Sequence, residues 1–554
     1  MKKAGYVLLL AAVVATGLFA AKNDFGLGRN MEILINMMRE LSTGYVDEVD
    51  PDRLMEDAAA GMVRRLDPYT SYLPEEEMQK FDQLSSGKYG GVGSLIRQKG
   101  DYVIFAQPYE NSPADRAGIR IGDRIVAIDG QSAKGWTNAQ VSDRLKGDPN
   151  TTVKVTVRHL LTDKEETLTL KRERIAIPGV PYAGWIEPGI GYIQHSDFTE
   201  GCYDEMRGAI EKLRGEGELK GLILDYRNNG GGILQEAVKI VGLFVQKGTE
   251  VIRTRGRAGE QIYRTQQEPL LPETPLVVLI NGNTASAAEI VAGSLQDLDR
   301  AVLLGQKSFG KGLVQATRPL GYNAYLKLTT GKYYIPSGRC IQAIDYSAHD
   351  EERGTEVADS LVREFRTAGG RKVYDGGGIT PDRKLEPRYV SRFAVTLYSL
   401  GIIEDFVDEY MKRHAADTID VGSFSITDTD YADFLRFMAE KEVPYESASR
   451  RMLKAMKEAA KADNFTRLQE RIDEMEAELK DDKETNLETY RDEIVETINS
   501  DIVLRHAYMA GMIAHNLRSD PEVRAAADLL LDPPAWRAVL RAEEQTPADP
   551  EKEP

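Results

Sequence analysis

The sequence predicts a multidomain α/β protein, with a β-rich module before a central α/β region and a long helical region after it. Residues 173–384 alternate apolar runs such as PLVVLI with helical segments such as CYDEMRGAIEKLRGEG, and this alternation is typical of an α/β domain. Residues 86–172 contain short β-like runs between glycine-rich turns, and the chain after residue 385 is helix-rich. A chain of 554 residues has room for about three or four such domains.

The first 21 residues have the pattern of an export signal. Lys2 and Lys3 precede an apolar stretch from Ala4 to Ala21, in the order of a charged n-region and an apolar h-region. At about 18 residues, the stretch is also long enough to remain as a membrane anchor. In either case we expect the rest of the chain in the periplasm or cell envelope, anchored to the inner membrane if the segment is not cleaved.

Two segments of different character follow. Residues 30–85 predict a helical region, because apolar residues recur at three- and four-residue spacing between the breaks Asp50-Pro51 and Asp67-Pro68. Residues 86–172 predict strands in runs such as YVIFAQPY and TVKVTVRH, with one helix in TNAQVSDRLKG. This second segment is expected to form a small domain of its own.

The chain ends in an acidic helical extension, 385–540, and a tail, 541–554. The stretch LQERIDEMEAELKDDKETNLETYRDEIVETI has coiled-coil-like charge patterning, but its regular heptads are too few to assign a coiled coil. The tail is polar, with three prolines, and is expected to be disordered. The extension is a candidate for forming homo-oligomers or for binding an adaptor.

Composition excludes several classes of function. A net charge of −17 argues against nucleic acid as a partner, because phosphate binding needs a basic face. The two cysteines, Cys202 and Cys340, are too few for a disulfide framework. The six histidines are scattered and no H-E-x-x-H occurs. We therefore expect no metal and no organic cofactor.

The stretch NGNTASAAEI, residues 281–290, places Ser286 where an apolar run ends and a helix begins. The first backbone N–H groups of a helix have no intrahelical partner, so such a position can stabilise an oxyanion beside a nucleophilic serine. The small neighbours Ala285, Ala287 and Ala288 leave room for a peptide backbone. The alternative is a packed turn in which Ser286 caps the helix.

A serine nucleophile needs a base, and KSFGKGLVQ at 307–315 contains a candidate, Lys311. If Phe309, Leu313 and Val314 enclose the lysine, burial lowers its pKa and the neutral amine can accept the serine proton. Gln315 follows four residues later and is placed to orient that amine. The alternatives are an exposed turn lysine and, as a rival base, His195.

These motifs resemble those of the carboxyl-terminal processing proteases, also called tail-specific proteases. The matching stretches are NGNTASAAEI, SFGKGLVQ, LDYRNNGGG, KYYIPSGRCIQ and GGITPD, and the resemblance spans about residues 35–385. It implies a crotonase-like or ClpP-like α/β protease core. The roles that it implies are Ser286 as nucleophile, Lys311 as base, Gln315 as the residue that orients the lysine, and Glu289 and Arg227 as supporting residues.

The glycine-rich loop LDYRNNGGG, 224–232, is expected to supply part of the oxyanion hole. A strand that ends in three glycines can present unobstructed N–H groups. The resemblance points to the N–H of Gly231 or Gly230, together with that of Ala287. Many relatives have proline where this chain has Gly230, so the choice between the two glycines is open. The alternative is a glycine-rich turn that only allows tight packing.

Residues 86–172 resemble a PDZ domain in YGGVGSLI, SPADRAGIRIGDRIVAIDGQ and the helix near TNAQVSDRL. Such a domain implies capture of a peptide C-terminus, with a glycine-rich turn for the carboxylate and a strand and helix that form a groove. The predicted groove would select an apolar C-terminal residue. The residues predicted to bind peptide are Tyr89, Gly90, Gly91, Val92, Gly93, Leu95 and Val141.

Together these observations predict an exported serine endopeptidase that cleaves proteins or peptides with apolar tails near their C-termini. The PDZ module would capture the tail and a Ser-Lys pair would cut the chain. The alternative is a noncatalytic PDZ scaffold or adaptor that binds protein C-termini without cleaving them.

Overall fold

A computed structural model of the chain describes residues 26–346, 355–479 and 482–541. The predicted export segment, 1–21, and nearly all of the predicted tail, 541–554, lie outside the described residues. Within the described residues, no helix is both long and apolar enough to cross a membrane.

Helices and strands follow each other along the whole described chain. The helices are α1 (26–44), α2 (Pro51–Val63), α3 (Glu75–Ser86), α4 (Pro113–Arg116), α5 (Asn138–Leu145), α6 (Cys202–Glu216), α7 (Leu234–Val241), α8 (Ala287–Asp297), α9 (Arg392–Ser399), α10 (Ile402–Arg413), α11 (Asp428–Ala439), α12 (Ala448–Ala462), α13 (Thr466–Glu478), α14 (Lys483–Thr489), α15 (Arg491–Asn516), α16 (Pro521–Leu530) and α17 (Pro533–Val539). The strands are β1 (Ser71–Leu73), β2 (Lys88–Gly91), β3 (Ser94–Lys99), β4 (Tyr102–Pro108), β5 (Arg124–Ile128), β6 (Gln131–Ser132), β7 (Thr152–Arg158), β8 (Glu165–Lys171), β9 (Glu173–Ala176), β10 (Tyr182–Glu187), β11 (Ile190–Gln194), β12 (Gly221–Asp225), β13 (Glu250–Gly256), β14 (Gly259–Arg264), β15 (Leu276–Ile280), β16 (Val302–Gly305), β17 (Leu313–Gly321), β18 (Ala324–Tyr334), β19 (Ile344–Asp345), β20 (Thr355–Glu356), β21 (Glu364–Arg366), β22 (Lys372–Tyr374) and β23 (Arg383–Lys384).

The described residues form two compact units. The first comprises residues up to Lys80 together with those in Val314–Gly331 and Ile344–Glu356. The second comprises Phe81–Leu313, Lys332–Ala343 and the described residues from Val357 onward.

In the first unit, a short strand interrupts the predicted N-terminal helical region. Helix α2 begins at Pro51, and the carboxylate of Asp50 accepts a hydrogen bond from Asp52 N at 3.0 Å. Strand β1, residues 71–73, pairs antiparallel with Tyr325–Lys327 of β18. The prediction that residues 30–85 are helical is therefore wrong at 71–73, because this three-residue strand depends on a partner more than 250 residues away in the chain.

The centre of the second unit is a six-stranded sheet in the order β10-β11-β12-β15-β16-β23. Within this sheet, β11, β12, β15, β16 and β23 run parallel to one another, and β10 is antiparallel to β11. Strands β12, β15 and β16 are entirely buried, as expected for a parallel sheet with both faces covered. The predicted α/β alternation of 173–384 is confirmed for these strands and for helices α6, α7 and α8.

The predicted PDZ module has its own sheet, in the order β3-β4-β5-β7-β8, with β6 paired to β5. Helix α5 lies where TNAQVSDRLKG predicted it. Thr137 and Gln140 form a capping box at its start. Apolar side chains from the strands and from α5 form one buried cluster, which includes Phe105, Ile125 and Val155.

The helical extension is not a single separate layer. Helices α9 to α11 and α15 share a core of their own around Phe406, Phe434 and Ile498. The end of α15 and helices α16 and α17 instead pack against one face of the central sheet. Val523, Ala526, Ala527, Leu529 and Leu530 form one cluster with sheet residues such as Ile223, Leu279 and Leu304. Residues 521–540 are thus part of the hydrophobic core that supports the sheet.

Leu530 tests this packing, because it is 3% exposed whereas its neighbour Leu531 is 53% exposed. We expect Leu530→Ala to lower the free energy of unfolding by about 2–5 kcal/mol, through lost burial and the cavity left behind. Leu531→Ala should change the free energy of unfolding by about 0.5 kcal/mol or less. Denaturant unfolding of both variants checks the prediction, and equal losses would contradict it.

Candidate active site

Ser286 lies between strand β15 and helix α8 with a strained backbone. Its φ of 57° and ψ of −116° fall in a region that costs a non-glycine residue about 1–3 kcal/mol. An N-cap residue ordinarily has extended backbone angles. Ser286 is the N-cap of α8 and forms a capping box with Glu289, so the capping alternative is met as well. Capping does not require this backbone conformation, which is more typical of a functional serine at a sharp strand-to-helix turn.

The turn before Ser286 is held by hydrogen bonds to its neighbours in the sheet. Thr284 Oγ1 lies 2.8 Å from Tyr226 O and accepts from Asn281 N at 2.9 Å. Ala285 N donates to Asn229 O at 2.9 Å. The serine turn is therefore attached to the residues that follow strand β12.

One buried carboxylate joins the serine turn to the lysine loop. Glu289 has no exposed surface, and its Oε2 accepts from Ser286 N at 2.8 Å and from Lys311 N at 2.9 Å. Its Oε1 accepts from Ser308 Oγ at 2.6 Å and from Gly310 N at 2.7 Å. The backbones of the predicted nucleophile and base thus share a single oxygen atom.

Burial and hydrogen bonding have opposite effects on the pKa of the Glu289 carboxyl. Burial raises its pKa to about 7, although the hydrogen bonds from Ser308, Lys311, Ser286 and Gly310 each lower it. These four donors fill the four acceptor positions of the two oxygens. Glu289, predicted only as a supporting residue, is the group that fixes the distance between the two loops.

Tyr333 bridges the same two residues on their carbonyl side. Its buried hydroxyl lies 3.1 Å from Ser286 O and 2.5 Å from Lys311 O. Sequence reasoning assigned it no role, although it belongs to the motif KYYIPSGRCIQ. The motif is the only signal in the sequence, and it does not indicate that the Tyr333 hydroxyl reaches both Ser286 and Lys311.

The glycines beside Lys311 allow a close approach of two chain segments. A Cβ atom at Gly310 would lie 2.5 Å from Ala343 Cβ, and one at Gly312 would lie 2.8 Å from Gln342 N. Gln342 Oε1 also accepts from Gly312 N at 2.7 Å. Lys311 is therefore held in a packed loop and not in an exposed turn.

The side chains predicted to enclose Lys311 differ in exposure. Leu313 is buried, but Phe309 is 53% exposed. Gly310 between Phe309 and Lys311 has φ of 88°. Lowering of the lysine pKa by an apolar enclosure stays a prediction.

The motif GGITPD supports the lysine loop from its other side. Ser308 Oγ accepts from Ile379 N at 2.6 Å while donating to Glu289. A Cβ atom at Gly378 would lie 2.6 Å from Ser308 O. This close contact explains why the motif needs a glycine before Ile379.

The glycine-rich loop lies against the serine turn, as predicted. A Cβ atom at Gly231 would lie 2.7 Å from Ser286 Cβ and 2.8 Å from Ala287 N. The N–H of Gly231 donates to Asn229 Oδ1 at 2.8 Å. This predicted oxyanion donor is thus near the serine but already hydrogen-bonded to a neighbouring side chain. A Cβ atom at Gly230 would meet no other atom within 4 Å.

Arg227 braces the start of this loop. Its guanidinium donates to both carboxylate oxygens of Asp225 and also to Asp520 and Glu522. Tyr192 OH donates to Asp225 Oδ2 at 2.7 Å. The predicted supporting role of Arg227 thus has a physical basis in a cluster of buried hydrogen bonds and ion pairs.

Gln315 belongs to the first unit, whereas Ser286 and Lys311 belong to the second. Its Nε2 donates to Thr329 Oγ1 at 3.3 Å, and Thr329 Oγ1 donates to Asp67 Oδ1 at 3.1 Å. Its role as the residue that orients Lys311 stays a prediction.

His195, the rival base, is completely buried. Its ring lies 4.3 Å from that of Phe198 and 5.2 Å from that of Tyr226, measured between centroids. Burial lowers its pKa to about 3. The surrounding aromatic rings indicate a packing role.

The residues predicted to bind peptide are divided among a strand, a turn and the domain core. Tyr89, Gly90 and Gly91 belong to β2, which pairs with β9, so this part of the predicted free turn is a strand. Val92 and Val141 are buried in the core of the module. Gly93 has φ of 77°, and Leu95 is exposed. Their roles in peptide binding stay predictions.

Three sequence profiles match this chain. That of peptidase family S41 matches residues 189–349, that of a PDZ domain matches 104–159, and that of a probable PDZ-protease C-terminal helical domain matches 393–530. The carboxy-terminal-processing protease of Bartonella bacilliformis is 35% identical over 346 residues, covering 62% of this chain and 79% of the relative. The chain belongs to the carboxy-terminal-processing protease family.

A second relative agrees with this membership. A probable CtpA-like serine protease of Staphylococcus aureus (strain COL) is 33% identical, covering 61% of this chain and 68% of the relative. Among solved structures, the photosystem II D1 C-terminal processing protease is 27% identical and covers 64% of this chain and 93% of that one, with a TM-score of 0.35. As a member of the carboxy-terminal-processing proteases, the chain is a serine peptidase with a PDZ domain and a C-terminal helical domain. Family membership thus favours an enzyme over the noncatalytic scaffold.

The two glycines of the oxyanion loop are predicted to differ in their tolerance of a side chain. Gly231 has φ of 95°, and a Cβ atom there would collide with Ala285 O and Ser286 Cβ, each at 2.7 Å. We expect Gly231→Ala to lower peptidase activity about 100-fold or more, since the serine turn must move. Gly230→Ala, which meets open space, should retain activity within about twofold. Steady-state peptide cleavage by both purified variants checks this, and an active Gly231→Ala would contradict it.

His195 is predicted to affect acid stability and not catalysis. Because its pKa is lowered from 6.5 to about 3, its contribution to stability is complete above pH 6.5 and is lost as the pH falls toward 3, by about 1.4 kcal/mol per pH unit. His195→Phe should lack this acid-dependent loss and should still cleave peptide. Unfolding free energies at several pH values, with cleavage rates at neutral pH, test both points. Loss of cleavage in a folded His195→Phe variant would restore His195 as a candidate base.

Proposed function

We propose that the chain is an exported endopeptidase that cleaves protein substrates near their C-termini with a Ser-Lys pair. The observation that carries the proposal is the joint anchoring of Ser286 and Lys311, whose backbone N–H groups share Glu289 Oε2 and whose carbonyls both face the Tyr333 hydroxyl. Two residues that only shaped a turn would not need such a fixed relative position. The names of the relatives, which include carboxy-terminal-processing protease, support the same activity.

The proposed reaction is acyl transfer. Ser286 Oγ attacks the scissile carbonyl carbon as Lys311 Nζ accepts its proton, and Gln315 orients the lysine. The tetrahedral intermediate collapses as the lysine returns the proton to the leaving amine. A water molecule, deprotonated by Lys311, then attacks the acyl-enzyme, and the serine is regenerated.

The oxyanion is proposed to bind at the start of helix α8. Ala287 N is the first donor, since it follows the nucleophile directly at a helix N-terminus. Gly231 N is the second, and it must exchange its bond to Asn229 for one to the substrate. We infer that substrate binding completes this exchange, so that the hole is fully formed only in the complex.

Substrate selection is assigned to the PDZ domain. A C-terminal carboxylate would bind near Gly93, where the chain turns between β2 and β3, and the tail would add to β3 as an extra strand. Leu95, the exposed apolar residue on that strand, would contact an apolar side chain of the tail.

We also propose that the protease core is of the crotonase-like, ClpP-like type. The support for this is the parallel order of strands β11, β12, β15, β16 and β23 in the central sheet.

The proposed site of action is the periplasm or cell envelope. Lys2, Lys3 and the apolar stretch Ala4–Ala21 support export. Fractionation of cells that express the full chain, with and without residues 1–21, would test this placement. Equal recovery of both forms in the cytoplasm would contradict it.

The catalytic assignment is tested by Lys311→Ala, with Lys307→Ala as a matched control from the same loop. An unfolded protein with an apolar C-terminal tail serves as substrate, beside the same protein ending in two aspartates. We expect Lys311→Ala and Ser286→Ala to lower cleavage by about 10³-fold or more, and Lys307→Ala to cleave normally, since Lys307 is exposed. The wild type should prefer the apolar tail. Wild-type cleavage by a folded Lys311→Ala variant would overturn the mechanism.

A further inference from the structure

Helix α16 of the C-terminal domain reaches both loops of the catalytic site through one side chain. Glu522 Oε2 accepts from Arg227 Nη1 at 2.5 Å, and Glu522 Oε1 accepts from Gln306 Nε2 at 2.6 Å. Arg227 begins the loop that leads to Gly231, and Gln306 begins the loop that leads to Lys311. A residue more than 200 positions away in the chain thus binds the first part of each loop.

This contact is largely withdrawn from water. The side chain of Glu522 is 10% exposed and that of Arg227 is 16% exposed. Hydrogen bonds to charged groups are shorter and stronger than those between neutral groups. At low exposure, solvent competes little for the partners, so the contact is expected to be stiff.

Asp520 reinforces the same contact from the start of helix α16. Its Oδ2 accepts from Arg227 Nη2 at 2.8 Å. Its Oδ1 accepts from Glu522 N at 2.9 Å and from Val523 N at 3.1 Å. The carboxylate therefore caps the helix and binds Arg227 at once, which fixes the direction in which Glu522 extends.

Helix α16 is itself anchored to the central sheet. Val523, Ala526 and Ala527, which are within five residues of Glu522 on the helix, lie in the cluster shared with strands β11, β12, β15 and β16. The position of Glu522 relative to the loops is therefore set by the same strands from whose ends the loops begin. This arrangement can hold the loops in place without a contact to the substrate.

We propose that Glu522 is a positioning residue of the peptidase site, which holds the oxyanion loop through Arg227 and the lysine loop through Gln306. Glu289 joins the lysine loop to the serine turn at Lys311 and Ser286, and Glu522 joins the lysine loop to the oxyanion loop where both leave the sheet. The C-terminal helical domain is then a part of the catalytic unit. The proposal rests on the assignment of Ser286 and Lys311 as nucleophile and base.

The test compares Glu522→Gln with two controls on the same helix. Asp528→Asn removes the charge of an exposed carboxylate. This carboxylate pairs with Arg524 at 3.1 Å and contacts neither loop. Leu530→Ala destabilises the packing of α16 without removing a contact to either loop. Each full-length variant is assayed for kcat and KM on the apolar-tailed substrate at a temperature where it is folded, and for the rate at which a fluorophosphonate labels Ser286.

We expect Glu522→Gln to lower kcat about tenfold or more and to slow labelling similarly, with KM within about twofold of the wild type. Asp528→Asn and folded Leu530→Ala should keep kcat within about twofold. The difference in kcat between Glu522→Gln and Leu530→Ala separates positioning from stability, because Leu530→Ala lowers the stability of the protein but keeps the contacts of Glu522 to both loops. A Glu522→Gln variant with wild-type kcat, or equal kcat losses in Glu522→Gln and Leu530→Ala, would overturn the proposal.

Gln306→Leu provides a second variant in case Glu522→Gln does not fold. It removes the link to the lysine loop and leaves the charged cluster around Arg227 intact, so we expect a fall in kcat of about threefold or more without a matching change in KM. Unchanged kcat in this variant would count against the proposal. Lys311→Ala is run in parallel: if it cleaves as the wild type does, the proposed function itself fails, whereas an inactive Lys311→Ala beside a fully active Glu522→Gln removes only the positioning role.

Discussion

The catalytic arrangement depends on the buried carboxylate of Glu289. Its four acceptor positions are filled by Ser286 N, Lys311 N, Gly310 N and Ser308 Oγ, which come from two loops that follow different strands. Burying a carboxylate is costly unless it is well hydrogen-bonded, and these donors offset that cost only when both loops are in place. The same bonds that stabilise the carboxylate therefore hold Ser286, the proposed nucleophile, at its strained φ of 57° and fix the backbone of Lys311, the proposed base.

Residues of the surrounding motifs contact Ser286, Lys311 and Ser308 and help to hold them in place. Tyr333 binds the carbonyl side of Ser286 and Lys311, and Ile379 binds Ser308. Glycines at 231, 310 and 312 occur where the backbone of one segment touches another and a Cβ atom would collide. The family motifs thus describe one packed unit.

The sequence alone was sufficient to predict the main strands and helices and part of the candidate site. Strand and helix alternation identified β11, β12, β15, β16 and helices α6 to α8, because each pattern is local. The motifs singled out Ser286, Lys311 and Glu289, which the structure brings together. They did not reveal that Gly231 N donates to Asn229, that Phe309 is exposed, or that residues 71–73 form a strand. Each of these depends on a partner or a turn direction that spacing along the chain does not encode.

The sequence by itself determined the chemistry: a serine at a strand-to-helix turn, a lysine between two glycines, and a module that resembles a PDZ domain. These features are local, so residue type and spacing are enough to identify them. Only the tertiary structure decided which distant groups hold them. Glu289 joins the serine turn to the lysine loop, and Glu522 joins the oxyanion loop to the lysine loop from a helix near the other end of the chain. The Glu522 contacts depend on packing of α16 against the sheet, where hydrophobic burial selects the partners without regard to their separation in sequence.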